Sequence, residues 1–128
     1  MKNGFQLIEL LVVLSIISIL SLCALPLYSQ HIMKEKRLAA ATSLQQIAVA
    51  LEQYHLENNT FIDATLAKLN FHNTNQVYQF NIESADEDAY LIAAIPVGKQ
   101  ADDACGTLML AADGKKSMTG KSDINDCW

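Results

Sequence analysis

The sequence predicts an α+β protein in which a long N-terminal helix packs on a small antiparallel β-sheet. Residues 5–25 form an apolar run, and an amphipathic pattern of helical period continues to about Glu57. Alternating strand patterns follow, with a hairpin signal at Asp113 and Gly114. At 128 residues the chain is one domain plus an anchor. A net charge of −5 excludes the overall basic field that drives non-specific nucleic-acid binding.

The apolar run is long enough to cross a bilayer as a helix, because a span needs about 20 mostly apolar residues. Glu9 is its one charged residue, and a carboxylate inside a bilayer costs at least ~2.5 kcal/mol. A secretory signal peptide fits poorly, since the run is too long and no small-x-small site follows it. A lipoprotein signal also fits poorly, because Leu22 rather than a small residue precedes Cys23.

Near the start of the chain lie Gly4, Phe5 and Glu9, followed by the rest of the apolar run and Pro26. This arrangement resembles the class III signal and helix start of type IV pilins. The resemblance implies a prepilin with a leader at residues 1–4. A prepilin peptidase would cut between Gly4 and Phe5 and methylate Phe5, which becomes N-methylphenylalanine.

Glu9 is the expected assembly residue. The resemblance implies that its carboxylate pairs with the N-terminal amine of a neighbouring subunit in an apolar filament core. Removing one partner of a buried pair typically costs about 3–5 kcal/mol, so the pair would set the register of incoming subunits. The alternatives are that Glu9 is protonated or pairs with the amine of its own chain, one helical turn away.

Residues 5–25 are interpreted as the membrane and filament-core half of the helix, and residues 26–58 as its amphipathic half. The apolar stripe recurs at three- and four-residue steps: Leu38, Ala41, Leu44, Ile47, Ala48, Leu51 and Tyr54. Pro26 removes a backbone donor, so it is expected to kink or loosen the helix. In related pilins this segment melts on entry into the filament; a modest kink is the alternative.

Residues 59–128 are predicted to form a globular β domain. Its αβ-loop, residues 59–75, either contacts other subunits, as in pilins, or simply covers the helix and the sheet edge. The strands are predicted at residues 77–83, 89–95, 105–112 and 115–118.

The C-terminal region, residues 105–127, sharpens the resemblance. A strand that begins with Cys105, a turn at Gly114 and a final Cys127 and Trp128 resemble the ends of PilE-type minor pilins. That group includes a pilin that acts as a DNA receptor in natural competence.

The same resemblance implies export to an oxidising periplasm, which permits a disulfide bond. Cys105 and Cys127 are the expected pair, because Cys23 lies in the apolar run, where a free cysteine behaves as a small hydrophobe. The bond would close a loop of roughly 20 residues and contribute about 3 kcal/mol. Two reduced, unrelated thiols are the alternative.

No catalytic constellation, phosphate-binding loop or metal-ligand spacing is visible, so neither an enzyme nor a cofactor is expected. The histidines are interpreted as surface residues: His31, His55 and His72. The acidic residues around the expected disulfide match no calcium loop and are interpreted as a solvated face: Asp102, Asp103, Asp123 and Asp126.

Four lysines near the C-terminal loops are the candidate DNA-contacting residues: Lys99, Lys115, Lys116 and Lys121. Clustered lysines can bind phosphates even on an acidic protein. Aspartates interleave with them, however, and a mixed-charge surface is the favoured interpretation.

The expected function is that of a structural subunit, a minor pilin that supports pilus assembly and thereby adhesion, twitching motility or DNA uptake. The expected partners are other pilins, the prepilin peptidase and the inner-membrane assembly platform. The chain would cross the inner membrane once, with its C-terminal domain in the periplasm, and then enter the extracellular pilus. Alternatives are a pilus-displayed DNA receptor, a major pilin and a type II secretion pseudopilin.

Overall fold

The structure, a computed structural model, describes residues 4–128, so residues 1–3 of the predicted leader lie outside the described residues. The chain forms two compact units, one ending at Ile32 and the other comprising Met33–Trp128, called the head below. The elements in order are α1 (Leu7–Asn58), β1 (Tyr78–Ala85), β2 (Tyr90–Pro96), a 3₁₀ helix (Gly98–Asp102), β3 (Leu108–Ala111), β4 (Lys116–Met118) and α2 (Ile124–Cys127). The predicted fold class is confirmed.

The part of α1 in the first unit is apolar. By length and composition, α1 contains a stretch that could cross a membrane, and none of that stretch is buried. The hydroxyl groups of Ser15, Ser18 and Ser21 each donate to the carbonyl oxygen four residues earlier, at 2.7–2.8 Å. These polar groups are thus satisfied within the helix, as apolar surroundings require. Pro26 lies inside α1 and does not end it.

The part of α1 in the head buries one face. The buried residues are Arg37, Ala40, Ala41, Leu44, Ile47 and Leu51. The predicted stripe is therefore correct from Ala41 to Leu51 but wrong at its start, because Leu38 is 45% exposed. Arg37 takes the buried position there, since its guanidinium has an acidic partner inside the head.

The sheet is a four-stranded antiparallel meander in the order β1-β2-β3-β4. The β1–β2 ladder runs from the pair Tyr78 and Pro96 to the pair Ala85 and Tyr90. Tyr78 and Phe80 are buried on the face predicted from their alternation. Leu108 and Leu110 of β3 are buried as well, so this face carries the core of the head.

The predicted start of the third strand, at residue 105, is too early. Cys105 and Gly106 lie in a turn, and β3 starts only at Leu108. Gly106 has a φ of 64°, in the left-handed region that a strand does not use. The 3₁₀ helix and α2 were not predicted either, because elements of 5 and 4 residues are too short to show an apolar period.

The αβ-loop covers the end of α1 and part of the sheet. Its Phe61 is 3% exposed and stacks on His55, with 4.5 Å between ring centroids. Phe61 also meets the edge of Tyr90 at 4.9 Å. Aromatic pairs of this kind contribute roughly 0.5–1.5 kcal/mol beyond their buried area. His55 is consequently half-buried, not the plain surface residue predicted above.

Candidate functional site

The residues predicted to act in processing and assembly lie at the start of the first unit. Gly4 and Phe5 precede α1, and the Phe5 side chain is 79% exposed. Glu9 is exposed in the first turn of α1, where a carboxylate interacts favourably with the helix dipole. All three residues are therefore accessible to a protease or to a second chain.

Cys105 and Cys127 form the predicted disulfide, with 2.03 Å between the sulfur atoms and 5.8 Å between the Cα atoms. Both residues are buried, at 2% and 0% exposure. The bond connects the turn before β3 to α2 at the C-terminus. Cys23, in the first unit, is a free and exposed cysteine.

A buried ion pair lies next to the disulfide. Nη1 of Arg37 donates to both carboxylate oxygens of Asp103 at 2.7 Å, and the two side chains are 10% and 5% exposed. Nη2 of Arg37 donates to the carbonyl oxygen of Asp126 at 3.2 Å. The prediction of a solvated acidic face is therefore wrong for Asp103, although Asp102 is exposed as expected.

Gln100 extends this polar network across the interior of the head. Its Nε2 donates to the Met33 carbonyl oxygen at 3.0 Å, to the Tyr78 hydroxyl at 3.1 Å and to Asp103 Oδ2 at 3.2 Å. One network thus joins α1, β1 and the 3₁₀ helix to the disulfide region. Sequence reasoning missed it. The available signal was Arg37 at helical spacing from the stripe; nothing in the sequence marked Gln100 as buried.

The head should lose stability as the pH rises above about 10. Burial is the main cause that raises the pKa of Tyr78, and burial likewise raises the pKa of Tyr90. In the unfolded chain both phenols ionise near their ordinary pKa of about 10. The unfolded state then gives up its protons first, so the contribution of these groups is intact below that pH and is lost above it.

The measurement is the urea midpoint between about pH 8 and pH 11. Tyr78→Phe removes one titrating group and should flatten the decline, whereas Tyr28→Phe, in the first unit, should not. Identical declines in wild type and Tyr78→Phe would contradict the assignment.

The four candidate lysines are all exposed, and two of them, Lys115 and Lys121, lie at opposite ends of the β3–β4 hairpin. Lys115 lies at the β3–β4 turn, where its carbonyl oxygen accepts from Ala111 N at 3.0 Å. Lys121 lies at the other end of this hairpin, where its N–H donates to the Ala104 carbonyl oxygen at 3.1 Å. The strand β4, Lys116–Met118, lies between the two lysines. Lys99, in the 3₁₀ helix, directly precedes Gln100 of the polar network.

Lys116 differs from the other three lysines because it lies over an aromatic ring. Its Nζ is 5.3 Å from the centroid of the Trp128 ring, a cation–π distance. The Trp128 indole N–H donates to the Ser117 carbonyl oxygen at 3.2 Å, which holds the ring against β4. Lys115 and Lys116 are consecutive and exposed, and Lys116 belongs to β4, the strand at the edge of the sheet.

Acidic groups lie close to this pair. Asp113 Oδ1 accepts from the Lys115 N–H at 2.9 Å, and Asp88 of the β1–β2 turn lines the same surface cavity as Asp113. The mixed-charge surface expected from the sequence is therefore present around the hairpin. Residues 4–128 contain no group of three or more His, Cys, Asp or Glu side chains placed to share a metal ion.

Comparison with protein families gives a match to the family described as "Type IV minor pilin ComP, DNA uptake sequence receptor". The match covers residues 26–109, which include the amphipathic half of α1, β1, β2 and the first two residues of β3. No curated protein sequence matches the chain.

Two solved structures have a similar fold. The Neisseria meningitidis non-core minor pilin PilV superposes with a TM-score of 0.62 at 19% identity, over 73% of this chain and 93% of PilV. A type IV pilin from Shewanella oneidensis superposes with a TM-score of 0.56 at 21% identity, over 75% of this chain and 97% of that pilin. At such identities the likeness concerns the fold.

Proposed function

The chain belongs to the ComP family of type IV minor pilins, described as receptors for DNA uptake sequences, and on that premise we propose that it is a pilus subunit that binds DNA for uptake. The minor pilin role follows from the family. DNA binding by this chain rests on the family description together with the consecutive, exposed lysines Lys115 and Lys116 at the edge strand of the sheet.

The proposal includes the maturation expected from the N-terminal residues. The peptidase cuts between Gly4 and Phe5 and methylates Phe5; the apolar part of α1 then holds the subunit in the inner membrane, with the head in the periplasm. The assembly platform moves the subunit into the pilus, where Glu9 pairs with the amine of a neighbouring pilin. The exposed positions of Phe5 and Glu9 support this sequence of steps.

Glu9→Ala should leave cleavage intact and reduce incorporation into pili at least about tenfold, because it leaves the neighbouring amine without its carboxylate in an apolar core. The measurement is quantitative mass spectrometry of sheared pili and membranes, reading the N-terminal peptide and the abundance of the subunit relative to other pilins. Gln6→Ala, three residues earlier, is the matched control and should be incorporated normally.

The same data test the subunit class. A methylated Phe5 terminus at low abundance in pili is expected of a minor pilin. The same terminus as the dominant species would make the chain a major pilin, and its confinement to the inner membrane would make it a pseudopilin. Normal incorporation of Glu9→Ala would refute the pairing of Glu9.

DNA binding should be local and strongly dependent on salt. The head carries more acidic than basic residues, so no overall field attracts DNA, and the affinity must come from individual phosphate contacts. Lys115→Gln with Lys116→Gln should lower the affinity for duplex DNA at least about tenfold at about 50 mM salt. It should also reduce the slope of log K against log salt by roughly 0.9 for each lost contact.

This test uses the full chain in non-ionic detergent micelles and fluorescence anisotropy of labelled duplexes. Lys36→Gln with Lys68→Gln is the matched control, because both lysines are exposed and the change in net charge is the same. Equal losses in the two double variants would mean a general charge effect. No binding by wild type at low salt would refute the receptor role and leave the pilin role in place.

A further inference from the structure

The two segments that carry the disulfide are both bonded to one side chain of α1. Asp103, two residues before Cys105, accepts from Nη1 of Arg37 on both carboxylate oxygens at 2.7 Å. Asp126, one residue before Cys127, accepts from Nη2 of Arg37 on its carbonyl oxygen at 3.2 Å. The guanidinium therefore bridges the two cysteine-bearing segments.

Additional hydrogen bonds fix the Cys105 side of this bridge. The Cys105 N–H donates to Asp103 Oδ1 at 3.2 Å, and Gln100 donates to Asp103 Oδ2 at 3.2 Å. Gln100 also bonds the Met33 carbonyl oxygen, so the bridge is anchored twice on α1. The side chains of Arg37 and Asp103 are 10% and 5% exposed, and hydrogen bonds are electrostatically stronger in such surroundings.

We propose that Arg37 is a brace that aligns Cys105 and Cys127 in the reduced, folded protein, so that the head folds first and the disulfide closes afterwards. A guanidinium suits this role because its donors form a rigid fork: one nitrogen takes the carboxylate while the other reaches the carbonyl. A lysine ammonium is a single point of charge and cannot span both partners. The brace raises the effective concentration of one thiol at the other.

The closing step is a thiol–disulfide exchange with a small disulfide oxidant such as glutathione disulfide. The thiolate of one cysteine attacks the oxidant, which forms a mixed disulfide and releases one glutathione thiolate. The thiolate of the other cysteine attacks the mixed disulfide and releases the second. In total the two cysteine thiols give up two electrons and two protons, and one glutathione disulfide becomes two glutathione thiols. Only the second step depends on the alignment.

The experiment measures the effective concentration of the two thiols at equilibrium in glutathione redox buffers, by alkylation and mass spectrometry. The full chain is used in detergent micelles with Cys23→Ser, so that only two thiols react. Arg37→Lys keeps the positive charge but removes the forked donors, so it tests whether the fork is needed. Arg37→Met with Asp103→Leu removes the brace without leaving a buried charge, which keeps the head folded. Ile47→Val, at a buried site on the same helix, is the control.

Both brace variants should lower the effective concentration at least about tenfold, and the control should stay within about twofold of wild type. Circular dichroism should show that the reduced wild-type head is folded. The proposal is overturned if the double variant keeps the wild-type effective concentration, if Ile47→Val lowers it equally, or if the reduced wild-type head is unfolded.

Discussion

Arg37→Met should destabilise the folded head by about 3–5 kcal/mol, the usual cost of removing one partner of a buried ion pair. Asp103, whose side chain is 5% exposed, would keep its carboxylate in the interior without a cation. The Asp126 carbonyl oxygen would lose a donor as well. Methionine retains an unbranched apolar stem in place of the arginine stem, so the loss comes from the charge and the hydrogen bonds. Urea unfolding followed by circular dichroism measures it.

A double variant distinguishes the net contribution of the ion pair from the cost of leaving one of its charges unpaired. Arg37→Met with Asp103→Leu should lie within about 1 kcal/mol of wild type or above it, because removing both charges also removes their desolvation cost. Lys36→Met, at the adjacent exposed position, is the matched control and should change stability by less than about 0.5 kcal/mol. If Arg37→Met is as stable as Lys36→Met, the carboxylate of Asp103 does not depend on the guanidinium.

The elements with a periodic pattern could be predicted from the sequence, because the apolar residues that become buried recur with the period of the helix or strand. The stripe from Ala41 to Leu51 and the alternation through Tyr78 and Phe80 both appear in the structure as predicted. The boundaries of β3 could not be predicted, since the turn at Gly106 interrupts a run that is apolar on both sides.

The buried polar network could not be predicted because its partners are remote in sequence. Arg37 and Asp103 are 66 residues apart, and each lies among other charged residues. Arg37 follows Lys34 and Lys36, so it looks like part of a basic cluster beside a membrane span. Only the tertiary fold distinguishes Arg37, which is buried, from its exposed neighbours Lys34 and Lys36.

The lysines show the opposite case, in which residues that are close in sequence lie apart in the structure. Lys115 and Lys121 are close in sequence, and the region is short enough to suggest a single cationic patch. The β3–β4 hairpin places them at opposite ends of an extended ladder. Nearness in sequence does not give nearness in space along a strand, because each residue adds about 3.3 Å.

Removing the disulfide should cost about 3 kcal/mol, as Cys105→Ala with Cys127→Ala or as reduction of the wild type. The bond closes a sequence separation of 22 residues and mainly restricts the unfolded chain. For a domain the size of the head this corresponds to a fall in the melting temperature of at least about 10 °C. Differential scanning calorimetry with and without reductant measures the shift, and Cys23→Ser should leave it unchanged because that cysteine is exposed.

The unfolding of the reduced protein also shows whether the ion pair or the disulfide holds the C-terminus on the head. If Arg37 holds both cysteine-bearing segments, the reduced head melts at a lower temperature but in one cooperative transition, because α2 stays attached to α1 through Asp126. If the disulfide alone holds the C-terminus, reduction should release residues near Trp128 below the main transition and expose its indole. Tryptophan fluorescence distinguishes the two cases, since Trp128 is the single tryptophan of the chain.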